Sequence, residues 1–294
     1  MTPSHPKIGI IGTGRLGSSF AAATFPTGQL AAVSSRSPEK RDWLSMLHPE
    51  VAVLENASDV ANMTDLIFIT SNDAAIASIC DSIDWHPDHH VVHCSGVLTL
   101  DVLASAKNAG ASTAGFHPLQ TFPSFNDPSR LYNIAYAIDC QDDKLRRWLW
   151  NLALAFGSKP FEISGQLAHS AYHASAVMAC GLLAGLVGIS AELWKHAGIN
   201  RDEATQLLTP MLQSTIDAIA EKGLPEAISG PYVRGDEETI RIHLDTTAKL
   251  APEISRAYAA LALAQLHIAN EKGNHPDEIL QRIEELLKQH LQSL

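Results

Sequence analysis

The chain has 294 residues, and its 32 acidic against 21 basic side chains give a formal net charge of −11. Nucleic acid and anionic membranes require a cationic protein face, so this charge balance argues against both as main partners. A hydrophobic share of 46% with a charged share of 18% excludes a disordered chain. At this length we expect two domains and a large buried core.

The cysteines indicate a reducing compartment. Cys80, Cys94, Cys140 and Cys180 lie far apart and form no C-x-x-C pair, so we expect neither a metal site nor a disulfide framework. Residues 1–6 are polar and too few for a targeting segment. The expected location is therefore the cytoplasm, with reduced thiols.

The first half of the chain alternates β-branched runs with helical stretches, and a helix over Asp142–Phe156 closes this layer. From about Glu162 only helical spacing remains. The pattern predicts an α/β fold, a Rossmann-type doubly wound and mostly parallel sheet, followed by an all-helical C-terminal domain. The domains are expected at 1–160 and 161–294. The predicted strands are Lys7–Ile11, Leu30–Ser34, Leu66–Thr70, Val91–Cys94, Ser112–Phe116 and Ile134–Ile138.

Boundary signals mark several helices in the second half. Asn200, followed by an acid three residues later, resembles a capping box. Pro276 stands just inside a helix start, and Gly223 and Gly273 stand just past helix ends. Pro210 lacks a backbone N–H group, so we expect it to kink or divide a helix.

The segment Ser170–Ala191 carries no formal charge and is long enough to span a membrane. Its Ala, Gly and Ser content, together with a histidine, indicates instead a buried helix with a face of small residues. Gly181, Gly185 and Gly188 would let another helix approach closely. We therefore expect no membrane span, and a homodimer formed through the helical domain.

A glycine motif follows the first strand directly and opens an apolar helix, as a dinucleotide-binding loop requires. The first glycine permits the turn, the second lets the backbone approach a pyrophosphate, and the third allows the helix to pack on the strand. Free amides at the positive helix end would meet the anion. A glycine turn without a ligand is the alternative. The residues assigned to the cofactor are Gly12, Thr13, Gly14, Arg15, Leu16 and Gly17.

The end of the second strand favours NADP over NAD. An NAD site usually places an acid here, whereas this segment has no acid before Glu39. Arg36 can hold the 2′-phosphate as a forked donor, and Ser35 and Ser37 supply hydroxyl groups. An ordinary exposed arginine is the alternative interpretation of Arg36.

Two later strand ends should line the same crevice, because ligands in such sheets bind outside the carboxyl ends of the strands. They contain Ser71 and Asn72, and Ser95, which we assign to the ribose and the nicotinamide. Asn72, or the adjacent Asp73, is equally suited to cap the following helix.

Several motifs accompany the glycine loop. They are His93-Cys-Ser-Gly96, Gly115-Phe-His117-Pro-Leu-Gln-Thr-Phe122, Tyr172-His173-Ala174, Ser229-Gly-Pro-Tyr-Val-Arg234-Gly-Asp236 and His243. With these motifs the chain resembles the Rossmann-like oxidoreductases whose C-terminal part is the domain of unknown function 2520, which are related to ketopantoate reductases, pyrroline-carboxylate reductases and hydroxyacid dehydrogenases. The resemblance implies an NADP-binding N-terminal domain and a helical C-terminal domain, and it implies no known substrate. We assign substrate binding and dimerisation to the helical domain.

Two positions depart from the pattern of that family. Members commonly carry a lysine three positions before the Tyr-His pair and an asparagine eight positions after its histidine, where this chain has His169 and Gly181. In related reductases these two residues often donate the proton and orient the carbonyl, so that mechanism does not carry over directly. A histidine can exchange protons near neutral pH, but a glycine cannot replace an amide side chain.

Hydride transfer needs a substrate held over the nicotinamide and a proton donor. His117 is the first candidate because it follows a strand at the carboxyl edge, and packing against the next proline is its alternative. Tyr172, His173 and His169 are further candidates, since both imidazoles share one helix face. A metal on this pair is not expected, because it lacks the H-E-x-x-H sequence and a third ligand.

Arg234 and Asp236 lie in a glycine-flanked loop. Arg234 could bind a substrate carboxylate, but we prefer an ion pair with Asp236 or another acid.

The prediction for the whole chain is an NADP(H)-dependent oxidoreductase acting on a small carbonyl or imine substrate by hydride transfer. The alternative is a non-catalytic NADP-binding sensor or interaction protein.

Overall fold

The computed structural model describes residues 6–272 and 276–293. The strands are β1 Ile8–Ile11, β2 Leu30–Ser34, β3 Ala52–Leu54, β4 Leu66–Ile69, β5 His90–His93, β6 Ser112–Pro118, β7 Ala135–Cys140 and β8 Lys159–Glu162. The helices are α1 Arg15–Thr24, α2 Pro38–Leu47, α3 Ala57–Ala61, α4 Asp73–Asp81, α5 Ala104–Asn108, α6 Asp143–Ala155, α7 Gln166–Val177, α8 Leu183–Glu192, α9 Arg201–Lys222, α10 Pro231–Arg234, α11 Glu237–Leu250, α12 Pro252–Glu271 and α13 Asp277–Ser293.

The strands form one sheet in the order β3-β2-β1-β4-β5-β6-β7-β8. All neighbouring strands are parallel except β6 and β7. The chain reverses its direction of travel across the sheet between β1 and β4, and a crevice opens outside the carboxyl ends of such strands. The predicted Rossmann-type, mostly parallel sheet is confirmed.

Both faces of the sheet are covered, which explains the almost continuous apolar runs of the central strands. One face packs Ile10 and Phe68 against Phe20 of α1 and against Phe116. The opposite face contributes a second buried cluster that contains Ile67. The two clusters hold the strand ends in fixed positions, so the loops that follow them are placed by the core.

The six predicted strands are confirmed, with ends that differ from the prediction by at most two residues. Two strands were missed, β3 and β8, and both lie at edges of the sheet. Their residues are only partly buried or exposed, so they have no continuous apolar run. Pro160 fits within β8 because an edge strand tolerates the missing N–H group.

The described residues after Glu162 contain helices and no strand, as predicted. The chain separates into two compact units, of which the first ends at Cys180 and the second begins at Gly181. The division falls later than the expected boundary at residue 160, because α7 belongs to the sheet unit. In the second unit, α11, α12 and α13 bury a core that includes Ile240, Leu244 and Ile283.

The helix boundary signals are mostly confirmed. Asn200 caps α9, since its Oδ1 accepts a hydrogen bond from the Glu203 N–H at 3.0 Å, and α9 ends before Gly223. Pro276 directly precedes α13, whereas Gly273 lies outside the described residues. Pro210 does not divide the helix, because α9 runs through it.

The apolar segment is not the buried helix that composition suggested. An 18-residue window of the helical run Gln166–Ala197 has a mean hydropathy of 1.9, and only 6% of that window is buried. The run is long and apolar enough to cross a membrane, judged by length and composition alone. Core helices of soluble proteins also meet these two criteria. The sequence indicated an apolar face correctly, but composition does not show what covers such a face.

Candidate functional site

The glycine loop joins β1 to α1 and contacts the end of β4. Gly12 has a φ of +92°, a conformation that favours glycine. A side chain at Gly17 would place its Cβ 2.2 Å from the Gly12 carbonyl oxygen. Thr70 fixes the same carbonyl by donating from Oγ1 at 2.7 Å, and Thr13 donates to the Ser34 carbonyl at 3.3 Å. Contacts with the ends of β2 and β4 therefore fix the loop.

The remaining side of the loop is open. A Cβ built at Gly14 would have no protein atom within 4 Å. No side chain caps α1 and its first turn contains no acid. The first N–H groups of a helix have no intrahelical acceptor, and here they belong to Arg15, Leu16 and Gly17. Open space beside uncapped amides fits the pyrophosphate of a dinucleotide.

The end of β2 offers two cations. The exposed Arg36 guanidinium makes no hydrogen bond or ion pair among the described residues. Ser37 caps α2 by accepting from the Lys40 N–H at 3.3 Å, and the Lys40 ammonium lies 4.4 Å from the centre of the Phe125 ring. Lys40 was not among the predicted cofactor residues, although a cation in the first helical turn after Ser37 is a signal for phosphate binding.

Arg41, by contrast, is engaged by the protein. Its Nη1 donates to the carbonyl oxygen of the buried Ser35 at 2.8 Å, and its Nη2 pairs with Glu55 at 3.1 Å. These contacts orient the backbone between β2 and α2, which leaves Arg36 and Lys40 as the cations available to a phosphate.

The polar residues after β4 and β5 fix turns. Asn72 caps α4, since its Oδ1 accepts from the Ala75 N–H at 3.1 Å. The Ser95 hydroxyl accepts from the N–H groups of Val97 at 3.3 Å and Leu98 at 3.2 Å. Ser71 lies against Gly12, where a Cβ would be 3.0 Å from the Ser71 nitrogen. Asn72 thus caps α4, and contacts of Ser71, Asn72 and Ser95 with a ribose or nicotinamide stay a prediction.

The structure brings three candidate catalytic residues together. His117, near the end of β6, has its Nδ1 2.8 Å from the hydroxyl of Tyr172 on α7. A Cβ at Gly96 would lie 2.9 Å from the His117 ring and 3.0 Å from His173 Cδ2. Glycine is thus required at position 96 for both imidazoles to approach this closely. His117, Tyr172 and His173 form one cluster beside Gly96.

His169, the fourth candidate, is buried next to the same glycine. Its Nε2 lies 2.9 Å from Asp139 Oδ2, and its Nδ1 lies 3.4 Å from the Gly96 carbonyl oxygen. Sequence reasoning missed Asp139, which lies opposite Gly115 in the antiparallel β6–β7 pair. No local motif marks it, because the contact depends on the reversal of β7.

Burial controls the proton affinities of this cluster. Desolvation, with a smaller contribution from His173 and His169, lowers the pKa of His117 to about 4. The fully buried His93, whose Nδ1 accepts from the Ser95 N–H at 3.2 Å, has its pKa lowered by burial to about 4. Burial raises the pKa of Tyr172 to about 12. At neutral pH both histidines and the phenol are therefore uncharged.

The loop that contains Arg234 belongs to the second unit. Asp236 caps α11, accepting from the Thr239 N–H at 3.1 Å and from the Thr239 hydroxyl at 2.7 Å. These bonds lower the pKa of Asp236. Among the described residues of this unit, Arg234 forms no ion pair within 4.0 Å with Asp236, although its charge helps to lower the pKa of that carboxyl, and an ion pair with another acid stays a prediction.

Among the residues that the structure describes, no group of three or more His, Cys, Asp and Glu side chains is arranged to hold a metal ion.

Two family models match the chain. The model described as NADP oxidoreductase coenzyme F420-dependent matches residues 7–96, and the domain of unknown function DUF2520 matches residues 134–265. No curated protein sequence gives a significant match. The first description agrees with the predicted cofactor, and the second with the C-terminal domain that the motifs indicated.

Solved structures share the fold at low identity. A Bacteroides fragilis protein, solved as a candidate NADP oxidoreductase, has a TM-score of 0.66 and 22% identity, over 88% of this chain and 97% of its own. The 1-pyrroline-5-carboxylate reductase from Streptococcus pyogenes has a TM-score of 0.63 and 15% identity, over 95% and 98%. A reductive aminase from Aspergillus terreus, solved with NADPH and ethyl levulinate, has a TM-score of 0.58 and 14% identity, over 99% and 95%. At these identities the likeness establishes the fold.

Proposed function

We propose that this chain reduces a small carbonyl or imine compound with NADPH, or catalyses the reverse oxidation. The proposal is supported by the match of residues 7–96 to the NADP oxidoreductase model and of residues 134–265 to the domain of unknown function 2520. The observation that carries this proposal is the hydrogen bond of 2.8 Å between His117 and Tyr172, at the strand edge where the cofactor crevice opens. It supplies a proton-donating group at the expected place.

The cofactor is assigned to residues 1–160. The open side of Gly14 and the uncapped start of α1 fit the pyrophosphate. Arg36 and Lys40 are free to hold a 2′-phosphate, and a hydroxyl from Ser35 or Ser37 would complete that site. NADPH, when bound, supplies a hydride to the substrate. The protein must then provide position and a proton.

Tyr172 is the proton donor in this proposal. Its phenol stays protonated at neutral pH, because burial raises its pKa to about 12. When His117 donates its Nδ1–H to the phenol oxygen, the Tyr172 O–H is free to donate to the substrate oxygen or nitrogen. The same Nδ1–H then stabilises the phenolate by hydrogen bonding until a proton from water restores the phenol. His173 binds substrate beside Gly96, and His169 supports the cluster from its buried position.

The test of this function separates binding from catalysis. Thermal shifts are measured with NADP, NADPH and NAD, followed by NADPH consumption against a panel of keto acids, aldehydes and cyclic imines. We expect stabilisation by NADP and NADPH, and turnover of at least one compound class. Absence of a thermal shift with every dinucleotide would contradict the proposal.

The competing function is a non-catalytic NADP-binding sensor or interaction protein. Gly181 favours it, because a glycine stands where the resembling family has an asparagine that orients the carbonyl. Strong stabilisation by NADP without turnover across the whole panel would support this second function over the first.

Arg36→Ala is expected to weaken NADPH binding far more than NADH binding, because only NADPH carries the 2′-phosphate. A lost charged hydrogen bond costs about 1.5–3 kcal/mol, or roughly a 10- to 150-fold loss of affinity. Lys40→Ala should act in the same direction. Both dissociation constants are measured by titration, with the exposed Lys107→Ala as the control. Equal losses for the two cofactors would refute the phosphate role of Arg36.

We also infer a cytoplasmic protein with small-molecule rather than nucleic-acid or membrane partners, and a homodimer formed through residues 161–294. The exposed apolar run Gln166–Ala197 supports this assembly, since water-exposed apolar surfaces of this extent usually mark an interface. A second copy is favoured as the occupant because the glycines of this run permit close helix approach.

The double variant Met178→Asp and Leu182→Glu is expected to be monomeric at micromolar concentration by light scattering, because both side chains are 60% exposed on this run. Leu154→Glu, at a similarly exposed leucine of α6, should remain dimeric. A monomeric wild-type protein would contradict the assembly, and binding of the wild type to lipid vesicles would favour a membrane partner.

A further inference from the structure

Asp139 and His169 form a buried carboxylate–imidazole pair that adjoins the proposed reaction site. His169 is 3% exposed and Asp139 is 8% exposed. The pair meets His117 and His173 at Gly96, whose carbonyl faces His169 Nδ1 and whose Cα side is flanked by the other two rings. In the proposed mechanism His169 supports the cluster, whereas its carboxylate partner Asp139 has no assigned role.

The geometry distinguishes the two ring nitrogens of His169. A neutral imidazole carries one N–H, and a carboxylate is a stronger acceptor than a peptide carbonyl. The Nε2 contact with Asp139 is 2.9 Å, whereas the Nδ1 contact with the Gly96 carbonyl is 3.4 Å. The proton of the neutral ring therefore belongs on Nε2, and Nδ1 is the nitrogen that faces Gly96.

We propose that Asp139 is a positioning residue, which holds the Nε2 proton of His169 and so leaves Nδ1 to take up and release a proton beside His117 and His173. The inference rests on the proposed function and deepens it. It gives the chain a second acid–base group at the position where the resembling family has a lysine. A carboxylate on one nitrogen also favours protonation of the other, because the resulting imidazolium is paired.

The neighbouring titratable groups support this assignment. Asp139 on β7 contacts His169, and His93 on β5 and His117 on β6 are close enough to interact with it electrostatically, while His173 follows one turn later on α7. His93 and His117 stay neutral at neutral pH, since burial lowers the pKa of each to about 4. The carboxylate of Asp139 is thus the charged group that the described structure places against His169.

Histidine-labelled protein, studied by nitrogen NMR without cofactor or substrate, tests the inference directly. The His169 signals are assigned from their loss in His169→Gln. In the wild type we expect the neutral ring to carry its proton on Nε2. In Asp139→Asn the ring loses its charged acceptor, so the preference for the Nε2-protonated tautomer should weaken. Asp139→Glu should restore it in part, and the exposed Asp81→Asn should have no effect.

Wild-type protein with its neutral-ring proton on Nδ1 would overturn the inference, and this measurement does not depend on any variant folding. A folded Asp139→Asn variant with an unchanged His169 tautomer would also overturn it. Where a substrate has been found, Asp139→Asn should lower kcat at least tenfold at unchanged KM for NADPH. Because the NMR experiment needs neither NADPH nor substrate, failure of the proposed function stays distinguishable from failure of this inference.

Discussion

Gly14→Val is expected to weaken NADPH binding about 100-fold while the melting temperature stays close to that of the wild type. The backbone of Gly14 is extended, with φ −72° and ψ −159°, so valine is sterically permitted. No protein atom lies within 4 Å of the added Cβ, so the core is not disturbed. The side chain would instead fill the space beside the uncapped amides of α1. Losing one or two charged hydrogen bonds of about 1.5–3 kcal/mol each gives a loss of roughly this size.

The contrast with Gly17→Val makes this experiment specific. A Cβ at Gly17 would lie 2.2 Å from the Gly12 carbonyl oxygen and 2.5 Å from Thr70 Oγ1, so the loop or α1 must move. That variant should lose both thermal stability and NADPH binding, whereas Gly14→Val should lose binding alone. The measurements are the NADPH dissociation constant and the melting temperature of each variant. Wild-type affinity in Gly14→Val would place the dinucleotide elsewhere.

The glycine loop was predictable because its determinants are local. A buried strand, three glycines and a helix follow one another within Ile8–Thr24, and each element depends on residues close in sequence. The same holds for the cap at Asn200. Edge strands such as β8 escaped prediction because their pairing partners, rather than their own apolar content, define them.

The candidate site was predicted only in part, for a related reason. His117 and Tyr172 were identified as separate candidates, but they lie 55 positions apart and their contact depends on how α7 packs against β6. Asp139 was missed because it reaches His169 through the antiparallel turn of β7, which leaves no spacing signature. The sequence motif contains Gly96 but gives no reason for a glycine there. The reason is the close approach of two imidazoles, which only the three-dimensional structure shows.

Tyr172→Phe is expected to lower kcat by about 10²- to 10⁴-fold, the contribution usual for a positioned general acid, at unchanged KM for NADPH. The substitution removes one hydroxyl and leaves the ring contact with Phe161 in place, so folding should be retained. Tyr132→Phe is the matched control, because the same hydroxyl is removed from a tyrosine that packs on Phe156 outside this cluster.

The pH dependence of the same variant gives a second readout. In the wild type we expect the rate to be constant near neutral pH and to change as the pH drops through about 4, where His117 gains a positive charge, since burial lowers its pKa to that value. At high pH the wild-type rate should fall only in strong alkali. Burial raises the pKa of Tyr172 to about 12, so the phenol keeps its proton below that pH. The residual rate of Tyr172→Phe should lack this alkaline decline, because no phenol titrates. Unchanged kcat, or the same alkaline decline in both proteins, would assign the proton to another group in the cluster.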